Sequence, residues 1–159
     1  MAKGSFMKII LILFITIISI FLHITSFFIE KYNRDMGTWI IVAKAIKNLE
    51  DPYLAAWKAS IFYAFVYPPA WAFLCGALAF IVDLLINTTV YLILLRIILM
   101  ICNLLTAFII MKSIENNNIL YFSLFILNPI IIGMAQGGYF DIIATLFTLL
   151  SIRYLKIID

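Results

Sequence analysis

Charge is scarce in this sequence: only 12% of its 159 residues are Asp, Glu, Lys or Arg, while 66% are hydrophobic. A soluble domain of this length with so apolar a composition would aggregate, because too few polar side chains remain to cover its surface. The mean hydropathy of +1.16 therefore predicts a protein of the lipid bilayer. The net charge of +3 is small and spread along the chain, so it does not indicate nucleic acid as a partner.

Metal and redox chemistry lack the residues that they need. The sequence has two cysteines and one histidine, and their spacing matches no metal-ligand or dithiol motif. Cys75 and Cys102 lie in apolar segments, where a thiol behaves as a small hydrophobic group. His23 lies alone in another apolar segment, which favours a hydrogen-bonded packing role over a ligand role. We expect no metal site and no cofactor.

Long uncharged runs predict an all-α polytopic membrane protein with about five transmembrane or re-entrant helices in one membrane domain, residues 1–159. The first span is predicted over residues 9–29, and Lys3 and Lys8 before it favour a cytoplasmic N-terminus. No cleavage site of small residues follows, so we expect an uncleaved anchor. The later segments are 68–86, 90–111, a short or kinked segment 119–135, and 141–158.

An external loop is predicted over residues 30–67, between the first two spans. Apolar residues recur in it at helical spacing, whereas Lys44 and Lys47 lie off this stripe, which favours an amphipathic helix in the membrane interface. Asp51-Pro52 is expected to end that helix, and a second short interfacial helix is expected over residues 55–65. The stripe consists of Trp39, Val42, Ala43, Ile46 and Leu49.

Two carboxylates stand out as candidates for chemistry. Asp35 follows the first span, and Lys31 and Arg34 lie within one helical turn of it. A carboxylate there could take a proton from a sugar hydroxyl while the cations hold a phosphate, and helix capping is the competing interpretation. Asp141 follows the Asn128-Pro129 and glycine-rich break, where both a functional and a capping role are open.

Two motifs in a fixed order carry a resemblance to a known family. The chain resembles the N-terminal half of the polyprenyl-phosphate-dependent glycosyltransferases of the GT-C superfamily, and most closely the mannosyltransferases of glycosyltransferase family 87. The matching residues are, in the predicted loop, Asp35, Asp51-Pro52-Tyr53 and Tyr67-Pro68-Pro69, and, farther along, Asn128-Pro129 and Gly138-Tyr139-Phe140-Asp141.

The resemblance implies an inverting transfer of a mannose-like sugar from a polyprenyl phosphate to an acceptor hydroxyl. Asp35 would be the catalytic base, and one carboxylate is enough because a phosphate leaves without being protonated. Substrate-binding roles would belong to Lys31, Arg34, Tyr53, Tyr67 and Asp141. The expected location is the plasma membrane of a prokaryote.

Two other functions stay open. The short length favours a non-catalytic subunit or a truncated relic that packs against a larger membrane partner, or a chain that needs a second membrane chain to supply further spans. Asp83, Arg96 and Asp141 are charges at or inside apolar segments, so they could instead line a transport path. Asp83 and Arg96 could also pair with each other, or Arg96 could extend to the interface.

Overall fold

The computed structural model of the protein describes residues 2–29, 34–59, 69–82, 87–114, 118–137 and 139–158. Every secondary-structure element in these ranges is an α-helix, which confirms the predicted all-α class. The helices are α1 (Ala2–Ile29), α2 (Arg34–Lys47), α3 (Pro52–Lys58), α4 (Pro69–Ile81), α5 (Thr88–Ser113), α6 (Asn118–Ile126), α7 (Pro129–Gly137) and α8 (Asp141–Ile158).

Two of the described helices are long and apolar enough to cross a membrane: α1 through Phe6–Phe27, and α5. The bent pair α6 and α7 makes a third if the two helices form one span. Helix α4 has 13 residues, and at about 1.5 Å per residue it is shorter than a hydrocarbon core of about 30 Å. The described helices therefore supply two or three candidate spans, and the predicted total of about five stays a prediction.

The chain divides into two compact units. Unit 1 consists of Met1–Ile29 and Leu99–Asp159, and unit 2 consists of Glu30–Ile98. The long helix α5 contributes its first part to unit 2 and its second part to unit 1.

Unit 2 is built on the contact between α2 and α4. The apolar stripe that was expected to face the membrane interface is instead buried inside unit 2, where α2 packs against α4: Trp39, Val42 and Ala43 are fully buried while Lys44 is exposed. Trp39 meets Trp71 of α4 edge to face, with ring centroids 5.2 Å apart and planes at 86°. Gly76 of α4 allows α2 and α4 to approach closely, because a Cβ added at Gly76 would lie 2.9 Å from Cβ of Ile46 on α2.

The end of α2 differs from the prediction. The helix stops at Lys47 rather than at Asp51-Pro52, and Leu49, the last member of the predicted stripe, is 92% exposed with φ of 60°. Glu50 N donates to Ala45 O at 2.8 Å and Leu49 N donates to Ile46 O at 3.1 Å. These two bonds form a Schellman motif, which requires a left-handed residue and usually has glycine there.

Unit 1 packs α1 against α6 and α7. Its apolar core contains Ile15, Ala107, Phe122 and Ile126, all buried. Helices α6 and α7 meet at a bend of 47°, so the predicted break in this segment is confirmed. Asn128 caps α7, because its Oδ1 accepts a hydrogen bond from Ile130 N at 2.9 Å and Pro129 follows as the first helical residue.

Candidate functional site

The predicted site residues are distributed over both units. Asp141 lies in unit 1, and Arg34, Asp35 and Tyr53 lie in unit 2. Lys31 and Tyr67 fall outside the residues that the structure describes. Helix α2 begins at Arg34, so Asp35 is its second residue and lies within the first turn rather than at the capping position before it.

Asp51-Pro52-Tyr53 starts a helix instead of ending one. Oδ1 of Asp51 accepts hydrogen bonds from Tyr53 N at 2.8 Å and from Leu54 N at 3.2 Å, so this carboxylate is the N-cap of α3. Pro52 fits directly after it, because the first helical position needs no N–H donor. Helix α3 covers the first part of the interfacial helix expected over residues 55–65, and the rest lies beyond the described residues.

Tyr53 lines a groove of about 380 Å³ in unit 2. Its side chain is 38% exposed. Most of the lining is apolar, with Ile46 and Leu49 from the end of α2 and Pro69, Ala72 and Phe73 from α4.

Arg96 is a buried cation in unit 2. It is 6% exposed, and its Nη2 donates to Sδ of Met36 at 3.4 Å. Asp83, its predicted partner, is not among the described residues, so their pairing stays a prediction.

A group of buried polar residues lies in the interior of unit 1. Ser19 and His23, one helical turn apart on α1, are both fully buried. Oγ of Ser19 donates to the carbonyl oxygen of Ile126 at 3.0 Å. That carbonyl belongs to the last residue of α6. In an unbroken helix it would accept from the N–H of Ile130, four residues later, but at the bend Ile130 N donates to Oδ1 of Asn128 instead. Ser19 therefore satisfies a backbone acceptor that the bend would leave open.

The proton positions in this interior follow from the carbonyl groups. Nδ1 of His23 lies 2.8 Å from Ser19 O, and a carbonyl only accepts, so Nδ1 carries the proton. Nε2 of the neutral ring is then an acceptor, and Nδ2 of Asn103 lies 3.4 Å from it. Nδ2 also lies 3.5 Å from Ile131 O, which fixes the orientation of the amide.

A small cavity lies beside Asn103. It has a volume of about 70 Å³, and its polar side chains are Asn103 and Thr106 of α5 and Asp141 and Thr145 of α8. Asn103 and Thr106 are each 1% exposed, whereas Asp141 and Thr145 are exposed. Oδ1 of Asn103 is buried without a hydrogen-bond partner among the described residues.

Sequence reasoning identified Asp141 and predicted that His23 is a hydrogen-bonded packing residue, as it is, but it missed Ser19, Asn103 and Thr106. Ser19 and His23 share a helix face at i, i+4, and Asn103 and Thr106 share one at i, i+3. Such pairs inside apolar helices are a usable signal, because polar groups within the hydrocarbon region face other protein groups. No cluster of three or more His, Cys, Asp or Glu side chains suited to a metal ion occurs in the described part of the chain.

Comparison with known proteins gives no relative. No protein family, curated protein sequence or solved structure matches this chain.

Proposed function

We propose that this chain is an integral membrane protein of the GT-C glycosyltransferase type, corresponding to the N-terminal part of such an enzyme. The observation that supports it best is the arrangement along the chain after the first candidate span. Helix α1 is followed by a helix with Asp35 in its first turn, and then by the Asp51-Pro52-Tyr53 helix start beside an apolar groove.

In this proposal Asp35 is the general base. Its carboxylate takes the proton of an acceptor hydroxyl, and the acceptor oxygen forms a bond to the anomeric carbon as the bond from that carbon to the phosphate oxygen breaks. The phosphate keeps the electron pair, and the sugar is transferred with inversion. Lys31 and Arg34 stabilise the phosphate charge, since cations placed where charge develops lower the barrier. The groove beside Tyr53 offers an apolar surface to the lipid donor.

The membrane arrangement belongs to the same proposal. The chain has about five transmembrane or re-entrant segments, a cytoplasmic N-terminus, and the region of α2 and α3 at the outer surface of a prokaryotic plasma membrane. A second membrane chain supplies further spans. The donor is a polyprenyl-phosphate sugar, mannose-like in its recognition.

The test is sugar transfer by membranes that contain the Asp35→Asn variant. Transfer from polyprenyl-phosphate mannose to the endogenous acceptor is expected to fall about 100-fold or more, because a general base contributes at least that factor. Asp51→Asn is the matched control: it removes one carboxylate from the same region, but asparagine caps helices as well as aspartate. Equal transfer by Asp35→Asn and wild-type membranes, at equal protein levels, would refute the proposed role of Asp35.

A non-catalytic subunit is the second candidate, and the exposed apolar surface of α1 is where such a subunit would meet its partner. Phe14, Ile17 and Phe21 are 59%, 63% and 64% exposed, and such a surface suits a neighbouring membrane helix as well as lipid. Stoichiometric co-purification with one larger membrane protein, disrupted by Ile17→Trp but not by Leu120→Trp on α6, would support this function. Purification of the chain alone from its native membrane would contradict it.

A further inference from the structure

We propose that unit 2 carries a lipid-docking surface beside the end of α2, and that this surface inserts where the headgroups of the bilayer meet the acyl chains. The surface consists of the exposed side chains Leu49, Tyr53, Trp57 and Phe73. Its ligand is phospholipid. It is a different surface from the apolar stripe of α2, which is buried against α4. This docking concerns only how unit 2 meets the membrane, so it does not depend on sugar transfer.

The four side chains belong to one surface. Leu49, Tyr53 and Phe73 line the same groove, although they come from the turn after α2, from α3 and from α4. Trp57 lies one helical turn after Tyr53, so these two side chains share a side of α3. Leu49, Trp57 and Phe73 are 92%, 69% and 69% exposed, so the described chain leaves most of each side chain uncovered. Exposed apolar groups gathered in this way are typical of an interaction surface.

Leu49 is held at this surface by a strained backbone. Its φ of 60° is the left-handed conformation that the Schellman motif requires, and a leucine adopts that conformation with strain whereas a glycine does not. Because 92% of the side chain is exposed, contacts within the described chain do not offset the strain. Transfer of a leucine side chain from water to apolar surroundings is favourable by a similar or larger amount. A bilayer that covers Leu49 therefore supplies what the folded chain does not.

Lipid is the occupant because unit 2 contains part of a candidate membrane span. Helix α5 is one of the two described helices that are long and apolar enough to cross a membrane, and its first part belongs to unit 2. Tryptophan and tyrosine are enriched where headgroups meet acyl chains, since their rings combine an apolar body with a polar N–H or O–H. Trp57 and Tyr53 supply such rings to the lipid-docking surface. Its composition therefore fits the interfacial region of the bilayer.

Charge does not select the lipid. From residue 44 to residue 58 the chain has three lysines and two acids, so their formal charges nearly cancel. Attraction to anionic headgroups is then weak, and burial of apolar side chains drives the docking. We therefore expect docking in neutral phosphatidylcholine membranes. The charged residues of this range are Lys44, Lys47 and Lys58, and Glu50 and Asp51.

The experiment measures the depth of Trp57 in the full chain, reconstituted into phosphatidylcholine vesicles. Trp39 and Trp71 are buried, so the difference in fluorescence between wild type and Trp57→Phe reports Trp57. We expect lipids brominated near the top of their acyl chains to reduce this signal by about half, and lipids brominated near the chain ends to reduce it less. Quenching by aqueous acrylamide alone would overturn the proposal and place the surface in water. Protection from both quenchers would also overturn it, since a protein would then cover the surface.

Two variants test Leu49 itself. Leu49→Asp places a charge on the lipid-docking surface, and aspartate tolerates the left-handed conformation, so the turn after α2 is kept. Asn48→Asp is the matched control, because Asn48 is exposed next to Leu49 but does not line the groove. We expect acrylamide quenching of Trp57 to rise about twofold or more in Leu49→Asp, and to stay at the wild-type level in Asn48→Asp. Equal quenching in the two variants would refute the role of Leu49 in lipid docking.

Discussion

The two units differ in the polar side chains that they bury: in unit 2, Thr38 and Arg96 are each 6% exposed, whereas in unit 1 Ser19 and His23 are fully buried. The fully buried large side chains of unit 2 are mainly aromatic and aliphatic, and they include Trp39, Trp71 and Tyr91. Unit 1 buries a hydroxyl, an imidazole and an amide just as completely, in Ser19, His23 and Asn103. Both interiors belong to a chain in which two thirds of the residues are hydrophobic, so composition alone does not explain the difference.

The bend in one apolar segment explains one part of it, the burial of Ser19. In unit 2 the described helices α2 and α4 pack face to face, and close approach at Gly76 with edge-to-face tryptophans supplies the contact. Packing of this kind stabilises helix pairs even in lipid, where the hydrophobic effect between helices is absent. In unit 1 the bend at Asn128-Pro129 frees a carbonyl, and polar side chains must satisfy it. The buried hydroxyl of Ser19 is therefore a consequence of the broken helix.

The largest expected effect comes from Gly76→Ala, which would break the close packing of unit 2. The new Cβ overlaps the β-branched side chain of Ile46, so we expect a loss of about 1–3 kcal/mol in the free energy of unfolding. Thermal or denaturant unfolding in detergent measures it. Ala77→Val, on the exposed side of the same helix, should have little effect. If adding Ile46→Ala does not recover part of the loss, overlap with Ile46 is not the cause.

A smaller effect is expected from Ser19→Ala, which tests whether unit 1 depends on its polar interior. The carbonyl of Ile126 would lose its side-chain donor, at a cost of about 1–2 kcal/mol in stability. Ser26→Ala is the control, because Ser26 donates its hydroxyl proton to His23 O within its own helix. Equal stability of Ser19→Ala and Ser26→Ala would show that the bend does not require the serine.

The smallest effect is a gain, from Leu49→Gly at the end of α2. Leucine in the left-handed conformation costs about 1–2 kcal/mol, so glycine should raise the stability of unit 2 by about 1 kcal/mol after its own entropic cost. Leu49→Ala keeps the Cβ and should give no gain, although the side chain is 92% exposed. A gain in Leu49→Ala equal to that of glycine would assign the effect to the exposed leucine side chain instead.

Sequence reasoning succeeded where local rules decide the structure. The apolar period of α2 predicted that Trp39, Val42 and Ala43 share one side of the helix, although that side packs on α4 rather than in the membrane interface as expected. Asn128-Pro129 predicted the break, since asparagine caps and proline lacks a donor. It was wrong about the end of α2, because the stop uses leucine where glycine is usual. Asp51-Pro52 also illustrates a local ambiguity: the pair can end one helix or begin the next, and here it begins α3.

Local sequence rules predicted only some of the residues that line the candidate cavity. Asp141 was noticeable because a carboxylate beside a glycine-rich break is unusual in an apolar chain. Asn103 and Thr106 were not singled out, because the sequence of α5 alone does not show which helices their side chains contact. Their partners come from α1, α7 and α8, in the structure of unit 1.

The sequence by itself determined that this protein is helical, that it suits a bilayer, and where one of its apolar segments must bend. Those properties follow from the composition of the chain, from the spacing of its apolar residues and from the restricted backbone at proline, and none of these depends on how the helices pack. Tertiary structure decided that Ser19 reaches a carbonyl 107 residues away and that Asn103 meets a histidine 80 residues away. It also decided that the Nδ2 end of that amide faces the histidine, because acceptor and donor directions are fixed only when the helices pack.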